Sequence, residues 1–449
     1  MLNQAAKDYY RCAASFLDFD LSGELSSEPG YFRFGPNALC YGRSCSGTHE
    51  HRIGVSSHDW LQGVTIDADK PRLPFDPAEI IDNLRLERYP HQQLSGYERA
   101  LKKIYYSIRP FTSQPMRKKI QQFHTRNWRT LSFPRWPVDT TVENIHETLL
   151  LLSLEAKGVE RIPFVWFWPR GDRGCVLMTH DVETAAGRDF CNELLDIDDS
   201  FGVKASFQIV PEARYAVPAE FLDAIRSRGH EIAVQDLNHD GKLFDDQQEF
   251  LRRLELIHRY AAEFGARGFR AAVLYRNPEW YGALKFSFDM SIPNVAHLDP
   301  QRGGCCTVMP YFIGDILELP VTTIQDYTLF QLLNERSIEL WKVQTECILE
   351  KNGLVSFIVH PDYITDRDTR SVYENLLCYL RDLSRETPLW FALPSEIDSW
   401  WRARNRMSLV QEGASWRIVG EGAERAVLAF AEKVDGKLVY ELAGSAARP

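Results

Sequence analysis

Residues 174–183 read GCVLMTHDVE, an apolar run that passes without a break into Thr179, His180, Asp181, Val182 and Glu183. A short apolar run of this kind reads as a strand buried on both faces, and the polar residues at its end mark where the strand opens onto a site. The same grammar recurs outward along the chain in KASFQIV (204–210), HEIAV (230–234), GFRAA (268–272), ILELP (316–320), LVSFIV (354–359) and LWFAL (389–393). Amphipathic stretches separate these runs, such as PAEFLDAIRSRG (218–229) and QQEFLRRLELIHRYAAEFG (247–265). Strand and helix in alternation predict an α/β unit of parallel strands with covering helices over 170–404.

The flanks obey other rules. Residues 1–70 contain aromatic and glycine-bearing pieces such as YFRFGP (31–36) and CYGRSCSG (40–47) with no helical period, and predict an irregular or β-rich segment. Residues 71–165 predict a helical domain. DPAEIIDNLRLERY (76–89) opens on Asp-Pro, PMRKKIQQFH (115–124) starts at a proline, and TTVENIHETLLLLSLEA (140–156) opens on a threonine cap with Glu143 behind it. FPRWPVD (133–139) interrupts the helical text. After Arg404, WRIVGEGAERAVLAFAEKVDGKLVYEL (416–442) alternates at period two and predicts a small antiparallel β appendage over 405–449.

With 44% hydrophobic and 25% charged residues, the composition excludes a globally disordered or fibrous chain. The opening MLNQAAKDYY has no basic stretch followed by an apolar core, and no window approaches the roughly 18 apolar residues of a membrane span. The expected location is therefore the cytoplasm. Nine cysteines without a Cys-x-x-Cys spacing read as reduced thiols rather than a zinc ribbon or a bridge framework. A net charge of -10 argues against nucleic-acid binding, which needs cations to neutralise phosphate. One stretch runs the other way: Arg99 to Val138 carries ten Lys and Arg and no Asp or Glu. It reads as a solvated face against an acidic neighbour, or as a peripheral contact with an anionic surface, a polysaccharide or a membrane.

In parallel α/β folds the chemistry sits at the carboxyl ends of the strands. There the chain places Asp181 and Glu183, then Gln235, Asp236 and His239, then Arg270, and finally His360 and Pro361. One such residue after a strand is usually a capping or packing group. Several in consecutive elements point to a shared site. Glu318 and Asp326 are further candidate carboxylates at strand ends.

These residues resemble the motifs of the polysaccharide deacetylase family, the group that includes chitin and peptidoglycan N-deacetylases, over roughly Gly174 to Trp401. THDVE (179–183) is similar to the family's T-F-D-D-G, and GHEIAVQDLNH (229–239) to its G-H-E-I-G-N-H-S-x-x-H. Arg270 stands where the third motif has its strand-end arginine, and LVSFIVHP (354–361) resembles the last motif. The resemblance implies a distorted (β/α) barrel, Asp181 as general base oriented by Arg270, His360 as general acid, and a divalent metal.

Three positions depart from that pattern. Val182 and Gln235 replace two of the three usual metal ligands, and Ala272 replaces the proline of the third motif. His239 remains. Glu183, which lies on the same side of an extended strand as Asp181, could supply a carboxylate, with His180 or Asp236 completing a mixed set of the kind zinc accepts. Gln235 would then bond water or the substrate amide, and Tyr275 and Trp280 could stack on sugar rings. The leading expectation is a hydrolase that removes an N-acetyl or related acyl group from a sugar of a cell-surface or exported polysaccharide. The alternatives are a non-catalytic carbohydrate-binding or assembly protein on a decayed barrel, and a metal-independent amidohydrolase.

Overall fold

The structure, a computed structural model, describes residues 3–45, 58–90 and 125–444 of the 449-residue chain. PMRKKIQQFH (115–124) and the cationic stretch as far as residue 124 lie outside the described residues. The centre is a nine-stranded sheet, whose strands we number β1 (Gly174–Val182), β2 (Ala205–Ile209), β3 (Glu231–Gln235), β4 (Gly268–Arg270), β5 (Phe288–Asp289), β6 (Tyr311–Ile313), β7 (Ile316–Glu318), β8 (Leu354–Ile358) and β9 (Leu389–Phe391). Their order is β6-β7-β5-β4-β3-β2-β1-β8, with β9 also on β1. All pairings are parallel except β6 with β7. Seven strands fall on the runs read from the sequence. β5 and β6, two and three residues long, were too short to show a pattern.

Strand β1 organises the sheet. Both β8 and β9 pair with Cys175 and Val176, so they lie on opposite edges of β1, and β9 shares its edge with β2, which takes over from Met178 onward. The two ends of the sheet curl toward one another. After β7, Val321 bridges Pro293, and the next two residues reach across to β8. The Thr322 hydroxyl donates to Leu354 O at 2.7 Å and accepts from Ser356 N at 2.9 Å, while the Thr323 hydroxyl donates to Ser356 O at 2.8 Å. Threonine hydroxyls thus close a distorted barrel together with backbone bonds from Thr323 N to Ser356 O at 3.3 Å and from Leu354 N to Val308 O at 2.8 Å.

Alternation along β1 separates two layers. Val176, Met178 and Val182 face the covering helices Ala185–Ser200, Ala219–Ser227, Gln247–Glu263, Glu339–Glu350 and Arg367–Glu386 in one apolar cluster. Cys175 and Leu177 face inward and join a second cluster that runs through Tyr10, Phe32, Ile80, Leu149, Trp168, Trp400 and Ala431. The barrel floor is therefore plugged by both flanks of the chain, which leaves Thr179, Asp181 and Glu183 for the mouth.

The flanks are interleaved. Arg161–Val165, which the helical text of 71–165 does not announce, pairs antiparallel with Leu428–Val434, which pairs in turn with Lys437–Leu442. Arg404 is buried at the junction and donates to Trp166 O, Tyr9 O and Val165 O at 2.7–2.9 Å. The expected cap at Asp76 forms, its side chain accepting from Ala78 N at 2.9 Å. Thr140 makes no such bond. Asp139 accepts from Thr141 N at 2.8 Å instead, and Glu143 turns to the loop after β5, accepting from the Thr307 hydroxyl and Val308 N. Among the described residues no helix is long and apolar enough to cross a membrane.

Candidate active site

At the carboxyl end of β1, Asp181 and Glu183 point to the mouth, and His360 arrives two residues past the end of neighbouring β8. One ligand-type atom from each of these three lies within 4.8 Å of the others. Asp181 is 3% exposed. Its Oδ2 lies 3.7 Å from Arg270 Nη1 and accepts from Gln235 Nε2 at 3.2 Å, while its Oδ1 has no hydrogen-bond partner among the described residues. Arg270, fully buried, is steadied by a bond from its Nη2 to the Thr179 hydroxyl at 3.1 Å. Burial raises the Asp181 carboxyl above its ordinary value, against the pull of Arg270 and His360.

Glu183 is the hub. Its Oε1 accepts from Gln235 Nε2 at 3.1 Å, lies 2.7 Å from His239 Nε2 and 3.5 Å from His360 Nε2. Burial acts to raise this carboxyl, but His239 and His360 outweigh it and hold the group well below the usual carboxylate range. The His239 contact is close without being a hydrogen bond: neither ring nitrogen has a correctly aligned partner among the described residues. The loop that delivers His239 is bent into the left-handed region at Asp236 (φ 51°) and His239 (φ 56°), which is uncommon for residues with side chains. Tyr275 supports this loop by packing on Gly241.

His360 is held from behind. Asp326 lies 2.6 Å from His360 Nδ1 with one oxygen and accepts the His360 backbone N–H at 2.8 Å with the other. Burial acts to lower the imidazole, yet Asp326 and then Glu183 prevail and push it well above its ordinary value. In the sequence Asp326 is readable as a candidate carboxylate at a strand end, but its partner lies in another element and is not. Asp362, two residues beyond His360, also faces this group, and burial raises its carboxyl.

Other expected residues fall elsewhere. His180 sits on the opposite face of β1, its ring nitrogens taken by Val359 O at 3.1 Å and Asp198 Oδ2 at 3.0 Å, so it is no ligand of this site. Asp236 stays near His239, but one of its oxygens caps Leu237 N at 2.6 Å, and burial pushes its carboxyl up to about 6. Trp280 packs against Phe250 and Phe244, with ring centroids 5.4 and 6.2 Å away, as part of the helix-side core rather than as a sugar platform. Glu318 lies deeper in the barrel, accepting from Ile292 N at 2.9 Å, and burial beside Asp289 raises its carboxyl well above its ordinary value.

No family model and no curated protein matches this chain. Solved structures align with part of the chain. A protein assigned as a polysaccharide deacetylase of Mycobacterium smegmatis aligns at 20% identity over 56% of this chain and 98% of its own, with a TM-score of 0.44. An allantoinase aligns at 13% identity over 52% and 92%, with a TM-score of 0.43. A family 4 acetyl xylan esterase from Clostridium thermocellum, solved with a cobalt ion, aligns at 14% identity over 50% and 91%, with a TM-score of 0.34.

Proposed function

We propose that this chain is a divergent deacetylase of the polysaccharide deacetylase type, hydrolysing an N-acetyl or related N-acyl group on a sugar. The observation that carries the reading is the pairing of opposite tools on adjacent strands: Asp181 backed by Arg270 and His360 backed by Asp326, with Glu183 between them.

Amide hydrolysis needs a base for water, stabilisation of the oxyanion and an acid for the departing amine. Asp181 takes a proton from the attacking water, and its raised affinity for protons strengthens it in that role. Hydroxide adds to the acyl carbon. His360, kept protonated by Asp326 and Glu183, delivers its Nε2 proton to the amide nitrogen as the C–N bond breaks, giving acetate and a free amine. Arg270 fixes the orientation of Asp181 and opposes its negative charge.

A divalent cation fits the residues present. Glu183 and His239, 2.7 Å apart, would supply two ligands of a mixed oxygen and nitrogen set that zinc accepts, while the three ligand-type atoms that already lie within 4.8 Å of one another belong to Asp181, Glu183 and His360. Such an ion would supply Lewis-acid polarisation of the acyl oxygen. Gln235 favours a second reading. Its Nε2 donates to Asp181 and Glu183 together, so a neutral amide already bridges the two carboxylates, as a metal-independent amidohydrolase would require.

Two measurements test these readings. Purified protein should release acetate from N-acetylated oligosaccharides, and Asp181→Asn and His360→Ala should each lower the rate by about 10²–10⁴-fold while keeping the fold. Release from no N-acylated sugar, or full activity in either variant, overturns the deacetylase reading. One equivalent of metal per chain by elemental analysis selects the first form, and undiminished turnover of metal-free protein selects the second.

A further inference from the structure

Beyond the residues that face the mouth, the outer side of β1 carries a buried polar chain in a largely apolar layer. His180 Nε2 lies 3.0 Å from Asp198 Oδ2, the other oxygen of Asp198 accepts from the Tyr373 hydroxyl at 2.6 Å, and His180 Nδ1 lies 3.1 Å from Val359 O. All three side chains are fully buried. Asp198 comes from the helix Ala185–Ser200 and Tyr373 from the helix Arg367–Glu386, so two covering helices converge on one imidazole.

Its place on the strand gives the chain a purpose. The ladder between β1 and β8 ends in a bond from Val359 N to Thr179 O at 3.0 Å. Val359 O lies just beyond that bond, and the His180 side chain takes it up. The next residue on β8's side is His360, and the next on β1's side is Asp181. Parallel strand ends held by backbone alone can splay there, while His180 extends the clamp by one bond and joins the two strands at the point where their reactive side chains emerge.

Both ring nitrogens of His180 face oxygen atoms, Nδ1 that of Val359 and Nε2 that of Asp198. The second bond orients the ring and thereby secures the first, as outer partners do for the histidines of other sites.

We propose that His180, oriented by Asp198 and Tyr373, is a positioning residue that sets the separation between Asp181 with Glu183 on one strand and His360 on the other. The kinetic part of this inference rests on the deacetylase reading. The geometric part does not.

The test compares His180→Phe, which keeps a ring but donates nothing to Val359, with His180→Asn, whose amide N–H can still reach that carbonyl. A packing role predicts that phenylalanine, the closer in volume, is the better substitute. Positioning predicts the reverse: kcat falls about 10- to 100-fold in His180→Phe with KM within about twofold, and most of it returns in His180→Asn. Tyr373→Phe, which leaves the His180 bonds in place, should lose less than about threefold.

Crystal structures of the variants provide a readout that needs no turnover. In His180→Phe the separation of Glu183 Oε1 from His360 Nε2, 3.5 Å here, should grow by about an ångström. An unchanged separation overturns the proposal whether or not the protein deacetylates sugars, and failure of the wild type to release acetate bears only on the function. Should His180→Phe not fold, His180→Leu carries the same measurement.

Discussion

Asp326 decides how His360 can act. The imidazole is raised above its ordinary value by Asp326 and then Glu183, against burial, so it stays protonated past the pH at which a free histidine loses its charge. The stabilisation from this charged contact is complete below about pH 6.5 and is lost as pH rises through the folded-state value. Asp326→Asn should therefore move the alkaline limb of kcat/KM to lower pH, and a limb that stays put would remove His360 as the acid. Val182 supports a second prediction. It stands where the resembling family has an aspartate, but its side chain lies in the apolar cluster beneath the covering helices. Val182→Asp should destabilise the fold by about 3 kcal/mol or more in urea denaturation, and combining it with Gln235→His should not rebuild a metal set. The residues of the site were legible because each stands at or just past the carboxyl end of a strand, and the period-two rule sets Glu183 beside Asp181. The partners of the histidines were not legible, since Asp326 and Asp198 lie in other elements, but the same period-two rule sets His180 on the face away from Asp181 and so against a role as ligand.

Elements were readable in proportion to their length. β1, with nine residues buried throughout, announces itself, whereas β5 is a dipeptide whose state is set entirely by its neighbours. Closure of the barrel was invisible for a related reason. It uses two hydroxyls and a backbone N–H in PVTTIQ (320–325), which as text could belong to any loop. Thr322 both donates to Leu354 O and accepts from Ser356 N, so Thr322→Val would bury an unpaired N–H and an unpaired carbonyl on β8. The expected loss is about 1–3 kcal/mol. Because Asp326 lies four residues beyond Thr322, His360 should also lose some of its alignment, read as a fall in kcat below the melting transition. A variant as stable and active as the parent would mean that the Thr322 hydroxyl is not needed to close the barrel.

At the scale of the whole molecule, the text suggests a barrel with detachable ends, whereas the packing joins those ends to the floor. Phe164 of the strand Arg161–Val165 and Ala429 and Ala431 of its partner sit in the same apolar cluster as Cys175 and Leu177 of β1. Deleting residues 420–449 should leave a chain that is insoluble or lacks a cooperative melting transition, and a soluble, two-state product would restore the picture of an appendage. Sequence reading missed this because pairing across most of the chain leaves no local trace; each strand carries only its own pattern. The same pairing bears on how the protein is made. Arg161–Val165 leaves the ribosome long before Leu428–Val434 exists, and at roughly 5–20 residues per second the wait lasts on the order of ten seconds to a minute. Throughout that interval an apolar edge strand has no neighbour, so the nascent protein depends on whatever shields it during synthesis, and its yield will follow the speed of translation and the supply of chaperones more closely than the stability of the finished fold.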